Sequence, residues 1–377
     1  MKQKLLIFLL LIYAVAEAQT PSYLFKNKDA ANMFSFLYNQ TQTDIPKKTL
    51  NYTAVKQTPI SDNNEDELVA VPFYFGYDFD VDYTMSDGVW VNDGDKRIWQ
   101  LEINSTNAYS LNFIFSELNL IPDAELYIYN LDGSMVYGAV TASQNLSGET
   151  EQFLTDLVAG DKVIIKLIEP LRSANSSVIR ISKVIHAYID VFNFENMQKV
   201  TEFNCHNDIA CYPDWEKESN AVAFLIMGNG LCTGALLNNT SNNKKGYFLT
   251  AFHCIDREPY GSVLSETEKN ATQNWAFRFR HKNETCNGSA YASYFTYNGA
   301  NFRAAWQDTD FCLVELKSDV SDDRRLTFLG WDRTGERPQK GTAIHHPSGE
   351  RMKISFDNDY ITTHNKKISW ADALYRI

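Results

Sequence analysis

Between about residue 70 and residue 192, apolar and polar positions alternate in short runs. Trp99-Gln100-Leu101-Glu102-Ile103 and Ser110-Leu111-Asn112-Phe113-Ile114-Phe115 are two of them. Ala124-Glu125-Leu126-Tyr127-Ile128-Tyr129, Lys162-Val163-Ile164-Ile165-Lys166-Leu167 and Val178-Ile179-Arg180-Ile181 follow. A two-residue period turns one face of an extended segment towards a core and the other towards water, so each run predicts a strand. Asp132-Gly133, Ser147-Gly148 and Gly160-Asp161 supply turn residues between runs. Short strands at this spacing predict a β-sandwich or jelly-roll-like domain over residues 70–192. His186, following an apolar run, reads as a structural histidine, and nothing else there has catalytic chemistry.

The flanking segments lack this pattern. Residues 19–69 read as a polar segment with scattered aromatic clusters, ending in the acidic run Ser61-Asp62-Asn63-Asn64-Glu65-Asp66-Glu67. That run reads as a solvated linker; it lacks the D-x-D-x-D-G order of a calcium loop. Residues 193–204 form a polar connector. From Cys205 onward strands resume. Leu231-Cys232-Thr233-Gly234-Ala235-Leu236-Leu237 has a central glycine that predicts close packing of backbones, and Gly246 to Ala251 forms the next strand.

At the start, Lys2 and Lys4 precede an apolar stretch from Leu5 to Ala16 and the small-residue exit Ala16-Glu17-Ala18. This is the layout of a secretory leader over residues 1–18, too short to span a bilayer. The expected location is therefore secreted, extracellular or periplasmic, with no membrane association once the leader is removed. All six cysteines fall at or after Cys205, and export permits them to pair. A net charge of −12 argues against a nucleic-acid partner. Aromatic residues at 13% suit an all-β fold. Sequons at Asn51, Asn104 and Asn283 matter only where the host glycosylates.

The chemistry concentrates in Tyr247-Phe248-Leu249-Thr250-Ala251-Phe252-His253-Cys254 and Thr309-Asp310-Phe311-Cys312-Leu313-Val314-Glu315-Leu316. A histidine where a strand ends has a rigid anchor and an accessible imidazole, as a general base requires. A buried Asp310 would fix the His253 tautomer. His-then-Asp is the order of a chymotrypsin-type triad, in which the serine comes last. Taken singly, His253 is a surface histidine and Asp310 a strand cap; the T-A-x-H-C context argues otherwise. Ser348 lies beside His345 and His346 but lacks a glycine two positions before it, so it is no nucleophile elbow. The adjacent histidines point apart and have no H-x-x-x-H or C-x-x-C partner, so no metal site is expected.

Residues 205–377 resemble trypsin-like secreted bacterial serine endopeptidases of the lysyl endopeptidase type. Besides the two stretches above, the matching segments are Cys205 with Cys211, Cys232-Thr233-Gly234-Ala235-Leu236-Leu237-Asn238-Asn239-Thr240 and Trp275-Ala276-Phe277-Arg278-Phe279. Glu284-Thr285-Cys286, Gly330-Trp331-Asp332-Arg333 and Ile344-His345-His346-Pro347-Ser348-Gly349-Glu350 continue the match. Residues 70–192 resemble, more weakly, the β-rich pro-regions of such proteases. The resemblance implies a chymotrypsin-like double β-barrel with His253 as general base and Asp310 as its orienting acid, acting on protein or peptide substrates without a cofactor. It implies disulfides Cys232–Cys254 and Cys211–Cys286, with Cys205 and Cys312 unpaired. It also implies a zymogen, for which Lys199 in the connector is the candidate processing point. The family's G-x-S-G segment is absent, so the barrel over residues 205–377 is expected to be incomplete, truncated before the nucleophile, and the chain as given inactive. The alternative is a non-catalytic secreted β-rich binding protein carrying a degenerate protease module.

Overall fold

The structure, a computed structural model, describes residues 20–24, 28–39, 44–53, 72–148, 151–173, 175–193, 206–257 and 263–362. Residues 1–18, where a leader is expected, the acidic run Ser61 to Glu67, Lys199 and Cys205 lie outside the described residues.

The fold is all-β, and two sheets face each other in the first half. One contains Lys96–Ser105, Lys162–Pro170, Glu125–Asn130 and Met135–Val140; the other contains Ser110–Asn119, Val178–Ala187 and Gly76–Thr84. The alternating runs lie within these strands. Trp99, Leu101, Ile103, Ile165 and Leu167 from the first sheet share a core with Leu111, Phe113, Phe115, Val184 and Ile185 from the second. Asp132-Gly133 sits in the turn between Glu125–Asn130 and Met135–Val140, with Gly133 at a positive φ of 71°. His186 is buried, stacked on Tyr52 and hydrogen-bonded through Nδ1 to Ser105 Oγ at 2.8 Å.

The polar segment 19–69 contributes more structure than its composition suggests. Lys47–Leu50 adds a parallel strand beside Lys96–Ser105, and Lys28–Asn39 forms a helix. Thr20–Leu24 pairs with Met135–Tyr137 along one stretch and with Phe295–Thr296 along the next. Through that strand the first sheet continues into the second half, in the order Phe295–Asn298, Ala276–Phe279, Val222–Met227, Gly230–Leu237, Tyr247–Ala251, Phe311–Leu316 and Ala300–Trp306.

The strand Val222–Met227 is buried along its whole length. Ala223, Leu225 and Met227 point into a second core with Phe248, Phe277, Phe279 and Val314. Phe224 and Ile226 point the other way and join the sandwich core, together with Leu231, Ala276 and Tyr294. Each large apolar side chain removed from water in this way contributes roughly 1.5–3 kcal/mol. A separate small sheet of Asn207–Asp208, Lys353–Asp357 and Gly341–His345 lies alongside.

Candidate active site

Strand register builds the site. Tyr247–Ala251 runs antiparallel to Phe311–Leu316, with Ala251 opposite Phe311 and Thr250 opposite Cys312. The residues just after Ala251 therefore meet those just before Phe311. His253 lies in the single-turn helix Phe252–Ile255. Asp310 closes the turn Gln307–Thr309 in the left-handed conformation, φ 50° and ψ 39°, which aspartate tolerates better than most residues.

Asp310 grips this helix three times. Its carbonyl accepts from Phe252 N–H at 3.0 Å. Its Oδ1 accepts from His253 N–H at 2.9 Å and its Oδ2 from His253 Nδ1–H at 2.8 Å. The bond at Nδ1 sets the tautomer and leaves Nε2 as the basic nitrogen. Partial burial pushes the Asp310 carboxyl up, but the hydrogen bonds from His253 outweigh it and hold the group below its ordinary range. Asp310 is not buried, in contrast to the sequence-based expectation. Its side chain is 47% exposed, because it caps an external turn, whereas that of His253 is 16% exposed.

Two further features hold the histidine in place. The Cys232–Cys254 disulfide ties its helix to the strand Gly230–Leu237. Gly234 in that strand allows the neighbouring strand to approach: a Cβ there would collide with the Phe248 ring and the Leu249 carbonyl. The second disulfide joins Cys211 to Cys286. Cys312 is a free, buried thiol, its pKa pushed up to about 12 by burial and by the charge of Asp310.

The remaining candidates lie elsewhere in the local structure. Ser348 is exposed, at a positive φ of 49°, in the turn Pro347–Gly349. His346 is buried; its Nδ1–H donates to the Glu350 carbonyl at 3.0 Å, and burial lowers its pKa to about 3, so the ring is neutral. Burial also lowers His345. The one group of three metal-ligand side chains among the described residues is Cys232, His253 and Cys254. Both sulfurs are consumed in the disulfide and offer no thiolate.

One charged cluster is not announced by the sequence pattern. Asp156, in the sandwich, and Arg278, in Ala276–Phe279, form an ion pair with both side chains fully buried. The available signal is an arginine flanked by Phe277 and Phe279 inside an apolar strand.

Comparison with known proteins places these features in context. Residues 201–375 match the family model described as lysyl endopeptidase, C-terminal domain. A lysyl endopeptidase from Pseudomonas aeruginosa is 28% identical over 168 residues, covering 41% of this chain and 34% of that protein. The match thus spans about a third of the relative's length. Both support a relation to a protease family for the second half of the chain. No helix among the described residues is long and apolar enough to cross a membrane.

Proposed function

We propose that this chain carries the base-and-acid part of a serine endopeptidase, exported and made as a zymogen. The observation that carries the reading is the doubly hydrogen-bonded His253–Asp310 pair at adjoining strand ends. In that role His253 Nε2 takes the proton of an attacking serine hydroxyl and later delivers it to the leaving amine. Asp310 holds the ring and stabilises the imidazolium. The substrates are proteins or peptides. The relative's name motivates a preference for cleavage after lysine, to be tested by comparing Lys-X with Arg-X amide substrates. Processing is proposed at Lys199, in the polar connector 193–204 ahead of Cys205. N-terminal sequencing of the secreted product tests it, and a mature start inside residues 70–190 contradicts it.

The 377 residues contain no Gly-x-Ser-Gly sequence. The alternative reading is a secreted β-rich binding protein with a degenerate protease module. Reading the gene past codon 377 in all three frames separates the two. An amidase assay with a serine-reactive phosphonate then tests the chain directly. The 377-residue chain is expected to show no turnover, and a form carrying Gly-x-Ser-Gly is expected to show activity that His253→Ala abolishes. Phosphonate labelling of the 377-residue chain at Ser348, with turnover, overturns the assignment.

A further inference from the structure

The face of the strands Val222–Met227 and Ala276–Phe279 that turns away from their own core is not a water-facing surface. It presents Phe224, Ile226 and Ala276, which join the sandwich core, and Arg278, which is fully buried. An isolated domain with this outer face would expose a contiguous apolar patch around a guanidinium built for a dry site. The sandwich supplies what that guanidinium needs. Asp156 faces it with both carboxylate oxygens: Arg278 Nε donates to Oδ1 at 3.1 Å and to Oδ2 at 3.0 Å, and Nη2 also donates to Oδ1. Thr296 Oγ1 donates to Asp156 Oδ2 at 2.6 Å. Arg278 Nη1 donates to His281 Nδ1 at 3.2 Å, a neutral acceptor because burial and the neighbouring guanidinium depress its protonation. The rings of Tyr294, Phe224 and Phe192 surround the cation at 4.9, 5.3 and 5.7 Å.

Asp156 is itself held rigidly. On one side of it Phe153–Leu154, and on the other Val158–Ala159, pair with the strand Ser110–Asn119. Thr155 exchanges two hydrogen bonds with Phe113, each 2.9 Å. Around the buried pair, Asn274 bonds Gln152 at 2.6 Å, Lys317 bonds Glu151 at 2.8 Å, and Tyr291 donates to the Phe192 carbonyl at 2.9 Å. Phe73–Tyr74 adds a strand to the edge of Gly230–Leu237.

From this we infer that the sandwich is a permanent partner of the protease-like half, and that cutting the connector between residues 194 and 204 leaves two chains bound as one particle. The inference goes beyond the peptidase reading and does not depend on it, because its readout is association rather than catalysis. Cleavage removes a covalent link; it does not rehydrate Arg278. Separation would leave Arg278 and Asp156 without their partner and the apolar faces in water.

The test is a site-specific protease sequence placed within residues 195–204 of the full chain, followed by cutting, size-exclusion chromatography and native mass spectrometry. The two fragments are expected to co-elute at the mass of the uncut chain and to part only in denaturant. Asp156→Asn is expected to weaken their association by about 100-fold or more. Thr296→Val, which keeps the ion pair, is expected to weaken it by about tenfold. Wild-type fragments that separate in native buffer, with the C-terminal one remaining folded by circular dichroism, overturn the inference.

Discussion

Asp156–Arg278 and His253–Asp310 are two carboxylate pairs, one an ion pair and the other a hydrogen-bonded acid and base, in opposite surroundings. The first is sealed, with both side chains fully buried and the guanidinium aimed at fixed acceptors. The second lies at a strand end where Asp310 is about half in water. A sealed pair whose charges satisfy each other fixes position. An accessible pair can take up and release a proton, as general-base chemistry demands. Burial holds the first pair. The second is held by strand register, by the left-handed turn at Asp310 and by the Cys232–Cys254 disulfide. One molecule thus holds both arrangements, a pair locked by the exclusion of water and a pair left accessible to it.

That contrast is sharpest in what each pair does when broken. In a form carrying a Gly-x-Ser-Gly segment, Asp310→Asn is expected to lower kcat by roughly 10⁴ with little change in the unfolding midpoint; a kcat within tenfold of the parent would remove Asp310 from the mechanism. Asp156→Ala should do the reverse. It is expected to cost about 3–5 kcal/mol in urea unfolding, and the apolar pair Asp156→Leu with Arg278→Met should recover much of that loss. A single substitution costing under about 1 kcal/mol would contradict the sealed-pair account.

Cys232→Ser with Cys254→Ser is expected to cost about 3 kcal/mol in the chain-entropy account of a short loop, and to lower kcat as well because His253 loses its tether. Equal activity at saturating substrate would show that Asp310 alone positions the base. The smallest effect is in acid. The folded Asp310 carboxyl titrates below its ordinary value, so its contribution is present above about pH 4 and is lost as pH falls through the folded value. Glu151, at the sandwich boundary, behaves likewise: the Lys317 ammonium and the Ser147 backbone amide hold it down to about 2. Asp310→Asn and Glu151→Gln should each flatten the fall of the urea midpoint between about pH 5 and pH 2, and unchanged slopes would contradict both shifts. Exposure keeps each effect to about 1 kcal/mol or less.

How much of this the sequence shows depends on whether a residue's environment lies on its own strand. Trp99, Leu101 and Ile103 announce their face by alternation, and the structure buries them together. Val222 to Met227 has no alternation because both of its faces are covered, so its apolar run does not reveal two cores. Asp156 and Arg278 are far apart along the chain, and only tertiary packing joins them. Lys47–Leu50 pairs along a sheet edge with an exposed–intermediate pattern too short to stand out in a polar segment. At the candidate site the residue types and their order are legible. The exposure of Asp310 is not, because it follows from the turn Gln307–Thr309 rather than from the apolar strand after it.

The strand Thr20–Leu24 sets a schedule for the chain's assembly. Its residues emerge early in synthesis, yet Thr20 pairs with Thr296 and Pro21 with Phe295. The joint between the two halves of the sheet therefore cannot close until nearly 300 residues have been delivered, as the pairing numbers require. Contacts this distant along the chain demand a large loss of loop freedom before any attraction is gained, and they slow folding. Until then the Thr20–Pro21 end of the strand waits for its partner, a short stretch of unpaired backbone open to another chain, while Ser22–Leu24 can already pair with Met135–Tyr137.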